Sequence, residues 1–215
     1  MGIFIDAEES WIQNPIDHLV EKYMPVYNKE KPILYNTYQM YRTGRLEYLK
    51  NSFDKARSEN YILGAKIVRG AYMEKERNRA KEKGYPDPIQ IDKLSTDNQY
   101  DDSIRFCVQF PELISLCNSS HNWSSCLLQV ELMKKHNIPN DHPNLNFCQL
   151  LGMSDNITFN LASQGYYVAK YVPYGPIRDV VPYLVRRAQE NSSITGDMSR
   201  ELKLLDTEMK RRGLK

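Results

Sequence analysis

Six short runs rich in β-branched and aromatic residues recur along this chain: GIFIDAEES, KPILYNTYQ, GAKIVRGAY, LISLCNSSHN, NLNFCQLLGM and YVAKYVPYG. Each gives way to a helical pattern. Their spacing is mostly about thirty residues, the length of a strand, a crossover helix and a return to a parallel neighbour. The intervening segments, such as TGRLEYLKNSFDKARSEN and NWSSCLLQVELMKKHN, carry apolar residues three and four apart with charges on the opposite face. This alternation leaves few solutions, and the one it predicts is a parallel α/β fold of six βα units. KEKGYPDPIQI lengthens the third connection with Pro and Gly, and predicts a surface loop between two helices. The tail GDMSRELKLLDTEMKRRGLK predicts an amphipathic closing helix with a basic C-terminal end, where the helix dipole favours cations.

Composition excludes several classes of partner. The chain has 215 residues, 41% of them hydrophobic, enough for one sizeable core, so 1–215 reads as a single domain. A formal net charge of +2 with mixed signs gives no basic face for nucleic acid. No window approaches the roughly eighteen consecutive apolar residues of a membrane span, and Met1 leads into a strand-like run rather than a signal-peptide pattern. Cys107, Cys117, Cys126 and Cys148 show no metal-site or redox spacing and read as reduced, buried thiols. The Asn-x-Ser/Thr triplets at Asn118, Asn122, Asn156 and Asn191 are too short a pattern to carry weight.

In parallel α/β folds chemistry gathers at the C-terminal ends of the strands. Here those ends carry Asp6 with Glu8 and Glu9, then Asn36 and Gln39, then Lys66, Arg69 and Tyr72. His121 and Asn122 follow, then Gln149, Leu150 and Gly152, and finally Tyr171. Hydrogen-bonding and charged side chains are thus expected on one rim.

Two adjacent arginines stand out in PYLVRRAQENSS, after Val180, Val181, Leu184 and Val185 have called for burial. With Asp179 as N-cap, Pro182 falls in the first turn, where a proline is tolerated, and both arginines fall in the second. Tyr183, Arg187 and Glu190 then share a stripe, while Arg186 is turned about 100° from Arg187. Such a pair repels itself unless an anion lies near, and guanidinium grips a carboxylate with two parallel hydrogen bonds. The alternative, that both arginines reach solvent or pair with Glu190 and Glu201, stays open. The convergence of polar strand ends favours the anion.

In GAKIVRGAY, alternation places Lys66, Val68 and Gly70 on one face and Ile67, Arg69 and Ala71 on the other. Lys66 suits a Schiff-base nucleophile, a charge beside an anionic cofactor, or a paired structural lysine. Gly70 permits close backbone approach. Asp6 reads as a general base, a partner for an arginine, or most commonly the cap of the following helix. His121 has no second ligand at metal spacing, so no metal is expected. Tyr72 and Tyr171 read by default as core aromatics.

IDAEESWIQ, YNTYQMY, GAKIVRGAYMEKERNRA, GYPDPI, SSHN, QLLGMSDNITF and YVPYGPIRDVVPYLVRRAQENSS occur in this order. Together they resemble the proline dehydrogenase family, most closely its monofunctional, mitochondrial-type branch, over nearly the whole chain and least around residues 98 to 117. The resemblance implies a distorted (β/α)8 TIM-type barrel holding FAD and oxidising L-proline to 1-pyrroline-5-carboxylate. In that reaction hydride passes from proline C5 to flavin N5 and electrons go on to a quinone.

Carried over by position, the resemblance makes Arg186 and Arg187 the carboxylate clamp, with Tyr171 and Leu150 as walls, Tyr72 nearby and Asp6 orienting the cluster. Lys66 is implied beside the flavin N5, with Asn36, Gln39, Arg69, Gly70, His121, Asn122, Arg187 and Glu190 as further cofactor contacts. The resemblance implies Lys66, Asp6 and Tyr171 as the catalytic set. The family's barrel begins with further strands, one supplying another lysine, so this chain is expected to represent about the last six of eight units. Peripheral membrane association is implied, on the matrix side of the inner mitochondrial membrane in a eukaryote and in the cytoplasm of a bacterium. Two other readings are a non-catalytic flavin-binding or regulatory protein and an aldolase-type lyase using Lys66.

Overall fold

The computed structural model describes residues 2–193 and 195–214, without the side chains of Arg186 and residues 188–201. Strands and helices alternate as the repeat of apolar runs requires. They are β1 (Ile3–Ile5), α1 (Ser10–Tyr27), β2 (Leu34–Gln39), α2 (Arg45–Ser58), β3 (Leu63–Val68), α3 (Met73–Lys83) and α4 (Lys93–Val108). There follow β4 (Ile114–Ser119), α5 (Trp123–Lys135), β5 (Leu145–Leu150), α6 (Asp155–Ser163), β6 (Tyr167–Tyr171), α7 (Ile177–Ser193) and α8 (Thr195–Arg211). All six described strands are parallel and lie in the order β1-β2-β3-β4-β5-β6, each paired with its sequence neighbour. Short crossovers through helices enforce that order, and the twist of parallel strands curls the sheet into part of a barrel.

Strand alternation sorts residues onto two faces. Leu63, Ala65 and Ile67 of β3, Ile114 and Leu116 of β4, and Leu145 and Phe147 of β5 point to the helices and are sealed there. Each such side chain contributes about 1.5–3 kcal/mol by leaving water. The opposite face carries Thr37, Lys66, Cys117 and Asn146, which lie in register across four strands. A slip of one residue in any strand would exchange core for rim, so the pattern fixes the register.

The helix layer is also held by hydrogen-bonded polar side chains. Asn28 satisfies all its capacity, donating to the carbonyls of Leu34 (2.8 Å) and Ile62 (2.9 Å) and accepting from the amides of Ile33 (3.0 Å) and Leu34 (2.8 Å). Asp17 of α1 receives Arg45 of α2 at 2.7 and 3.2 Å, Gln13 at 2.9 Å and Asn36 of β2 at 2.9 Å. The Arg45 guanidinium also lies 4.2 Å from the Tyr48 ring centroid. The lengthened third connection is two helices joined by a surface loop, tied down where Gln90 N–H donates to Tyr41 (2.7 Å) and Thr43 N–H to Pro88 (2.9 Å).

One local expectation changes. Helix α7 starts at Ile177, its first turn closed by the Asp179 and Val180 amides donating to Pro176. Pro182 therefore lies in the second turn rather than the first. Asp179 is a first-turn acid that favours the positive end of the helix dipole, not the cap.

Candidate active site

The loop after β1 brings Asp6 against Lys66 of β3, whose ammonium donates to the carboxylate. Asp6 therefore does not cap α1, which begins after Glu9 with no side-chain cap. Lys66 also lies 6.0 Å from the centroid of Tyr171, at the end of β6. One lysine thus touches residues of both outer strands, which is how far the sheet has curled. Above it, Tyr171 meets the Tyr183 ring edge-on at 6.0 Å, and the Arg187 guanidinium lies 5.3 Å from that second ring. Leu150, paired in register with Tyr171, closes the wall and is buried.

The same loop is anchored on its other side. Tyr72, after β3, donates to the Glu8 carboxylate at 3.0 Å, Gln39 Nε2 donates to the Glu8 carbonyl at 3.1 Å, and the Glu8 amide donates to Gln13 at 2.8 Å. Burial, with the Glu8 carboxylate beside it, pushes the Tyr72 hydroxyl up to about 12, and the Arg187 charge acts on it in the opposite sense. Tyr72 therefore stays a neutral donor at ordinary pH. Glu9 with Lys75 and Ser10 with Glu76 continue the tether. Asp6, Gln39, Lys66, Tyr72, Leu150, Tyr171 and Arg187 consequently face one rim, and Glu8 and Tyr183 join them without having been singled out as ligands. Glu8 was visible as a second acid after Asp6, and Tyr183 as a stripe-mate of Arg187.

Other expected contacts go elsewhere. Asn36 is not at the rim: it is one position out of phase with Thr37, faces the helices and is fixed by Asp17. Arg69 also turns into the helix layer, where it binds Asp97 (2.7 Å), Ser120 (3.0 Å) and Ser125 (3.0 Å) and stacks 4.3 Å from the Tyr100 centroid. Asn122 caps α5 through the Ser125 amide at 3.1 Å. Gly70, at φ 146°, is required because a Cβ would lie 2.3 Å from the Tyr41 ring. His121 Nδ1 lies 3.0 Å from Ser154 Oγ. Gln149 faces the helices and accepts from Thr158 at 3.0 Å. The Arg186 and Glu190 side chains lie outside the described residues.

Among the described residues no group of three or more His, Cys, Asp or Glu could hold a metal ion, and no helix is long and apolar enough to cross a membrane. For an organic cofactor the rim offers a specific opening. Gln39 is buried, yet its Oε1 has no hydrogen-bond partner among the described residues. A buried amide oxygen left so costs about 1–3 kcal/mol, which a ligand with a polar edge removes.

A profile of the proline dehydrogenase family matches residues 1–200. The chain belongs to the proline dehydrogenase family. It is 42% identical over 98% of its length to "Proline dehydrogenase 1, mitochondrial" of Dictyostelium discoideum, of which it covers 38%. It is 38% identical over 98% of its length to "Hydroxyproline dehydrogenase" of Xenopus laevis, covering 46% of that protein. The fold matches a crystal structure of proline utilization A from Bdellovibrio bacteriovorus with a TM-score of 0.82 and 24% identity, over 88% of this chain and 20% of that one. The architecture is therefore that of a TIM-type barrel, and the chain spans less than half the length of these relatives.

Proposed function

We propose that this chain carries the rim of a flavin-dependent proline dehydrogenase, oxidising L-proline to 1-pyrroline-5-carboxylate with electrons passed to a quinone. The observation that carries the reading is the Lys66 ammonium between the Asp6 carboxylate and the Tyr171 ring, with Arg187 on the same aromatic wall. FAD fits this rim through Lys66, Gln39 and Arg187. When bound, it supplies the acceptor for the two electrons and the hydrogen leaving the substrate. His121, Gly70 and Glu190 are further contacts on this reading, and Arg69 and Asn122 act by holding strand ends in place.

The protein's own groups perform the binding and orientation. Arg186 and Arg187 hold the amino-acid carboxylate by two-point contact, which fixes the ring carbon without touching it. Asp6 fixes the direction of the Lys66 ammonium, whose charge offsets negative charge developing beside it. Tyr171 and Leu150 exclude water from one side, and the Tyr72–Glu8 contact holds the loop that carries Asp6. The ion pair with Asp6 supports a charge role for Lys66 over a Schiff-base role, which needs a free amine. The mitochondrial names of several relatives support placement in that organelle, and peripheral contact with a quinone-bearing membrane belongs to the same proposal.

The test is the anaerobic visible spectrum of the protein with FAD before and after L-proline. Bleaching is expected. A bound flavin that proline leaves unchanged removes the catalytic assignment and keeps the cofactor. Failure to bind FAD, combined with borohydride trapping of a carbonyl compound on Lys66, would replace the reading with the lyase.

A further inference from the structure

Two thiols share the inner face with Lys66. Cys117 of β4 lies directly beside Lys66 in register, and Cys148 of β5 lies opposite Ser119, one inward-facing step further along. Their placement on neighbouring strands turns both side chains to the same interior, and each thiol is the largest influence on the other's ionisation. Cys117 Sγ also lies 3.4 Å from Ser119 Oγ. Cys148 is partly exposed, whereas Cys107, Cys117 and Cys126 are buried.

The surroundings divide the labour between them. The neighbouring Cys117 thiol, helped by the Lys66 and Lys170 charges and the Tyr171 backbone, draws the Cys148 thiol below its usual range against the opposing effect of burial. Asp6 pairs with Lys66 and Asp155 with Lys170, so both cations are held in place. Cys117 moves the other way, because the Cys148 sulfur beside it and its own burial hold its proton. Burial alone pushes Cys107 up, and burial raises Cys126 to about 12 even with Arg69 near it. Cys148 is thus the more readily ionised of the two, and its partner on the next strand keeps its proton.

We propose that Cys148 and Cys117 form a reactive pair on the inner face of the sheet, in which Cys148 takes oxygen from hydrogen peroxide and Cys117 closes a disulfide. The Cys148 thiolate attacks the peroxide, forming S–O as O–O breaks and hydroxide leaves, which takes up a proton to give water. Cys117, losing its proton, then attacks the Cys148 sulfenic sulfur, forming S–S as S–O breaks and a second water leaves. Two thiols are oxidised by two electrons and one peroxide is reduced to two waters. The disulfide would link β4 to β5 beside Lys66. None of this requires that the chain bind a flavin.

Two measurements on the full chain decide it. Iodoacetamide at pH 7.5, followed by peptide mass spectrometry, is expected to label Cys148 about tenfold or more faster than Cys107 or Cys126. The rate should rise through neutral pH and fall in Lys66→Met. Hydrogen peroxide in modest excess should then give a Cys117–Cys148 cross-linked peptide two hydrogens lighter. In Cys117→Ser, dimedone should capture a sulfenic acid on Cys148; Cys148→Ser should give neither product. A denaturation midpoint for each variant separates loss of fold from loss of chemistry, and the labelling of the unaltered chain needs no variant. Labelling of Cys148 no faster than of Cys126, or peroxide treatment that leaves both thiols free, overturns the proposal.

Discussion

Two cation–carboxylate pairs in this molecule show how the same chemistry serves structure in one place and binding in another. Arg45–Asp17 lies between α1 and α2 with its side chains 7% and 8% exposed, and Gln13 and Asn36 complete the carboxylate's shell. Lys66–Asp6 lies on the rim with side chains 16% and 54% exposed, beside an aromatic wall, and the same rim holds a buried Gln39 oxygen that has no partner among the described residues. In the first pair the Asp17 carboxylate is saturated by its own fold and has no capacity left for a ligand. The second keeps one side open, so its charge is available to whatever enters the interior. A buried pair is destabilising when broken, whereas an exposed one adds little to stability.

Breaking the closed pair should produce the largest effect. Asp17→Ala leaves the Arg45 charge buried and should lower unfolding stability by about 3–5 kcal/mol, read by urea denaturation. A loss below 1 kcal/mol would mean that water reaches Arg45. On the open side, Arg187→Met should weaken proline turnover roughly a hundredfold and also reduce FAD content. Two charge-assisted hydrogen bonds at about 1.5 kcal/mol each account for that.

The neighbouring Arg186→Met should raise the proline concentration needed while leaving FAD content near normal. Equal loss of flavin from both variants would contradict this division. Asn36→Ala tests which face that residue serves: it should cost about 1–3 kcal/mol of stability and leave the flavin spectrum of the folded protein unchanged. Lys66→Met should alter stability by less than about 1 kcal/mol yet weaken FAD affinity by about tenfold, as a titration of the flavin spectrum would show. A large loss of stability instead would place Lys66 with Arg45 as a structural cation.

The reach of the sequence differs between these two regions for a physical reason. Strand alternation in GAKIVRGAY put Lys66 opposite in sense to Ile67 and Arg69, and the structure keeps that division, with Lys66 on the inner face and Arg69 among the helices. Applied as strictly to YNTYQMY, the same alternation separates Asn36 from Gln39, which sit an odd number of positions apart and face opposite sides. The thiol pair was within reach too, since LISLCN and NLNFCQ each place a cysteine at an inward position. Spacing rules for metal or redox motifs miss such a pair because its members come from separate βα units.

What the sequence determined by itself is the parallel α/β order, the two faces of the GAKIVRGAY strand and the family, because these follow from local periodicity and long contiguous motifs. Only the tertiary structure decided which rim residues meet. The contact of Asp6 with Lys66 and the Glu8–Tyr72 tether join groups 60 and 64 positions apart, and the Tyr171–Tyr183–Arg187 wall sets α7 against the end of β6. Their meeting depends on the curl of the sheet, which accumulates over all six strands and is written in no single segment.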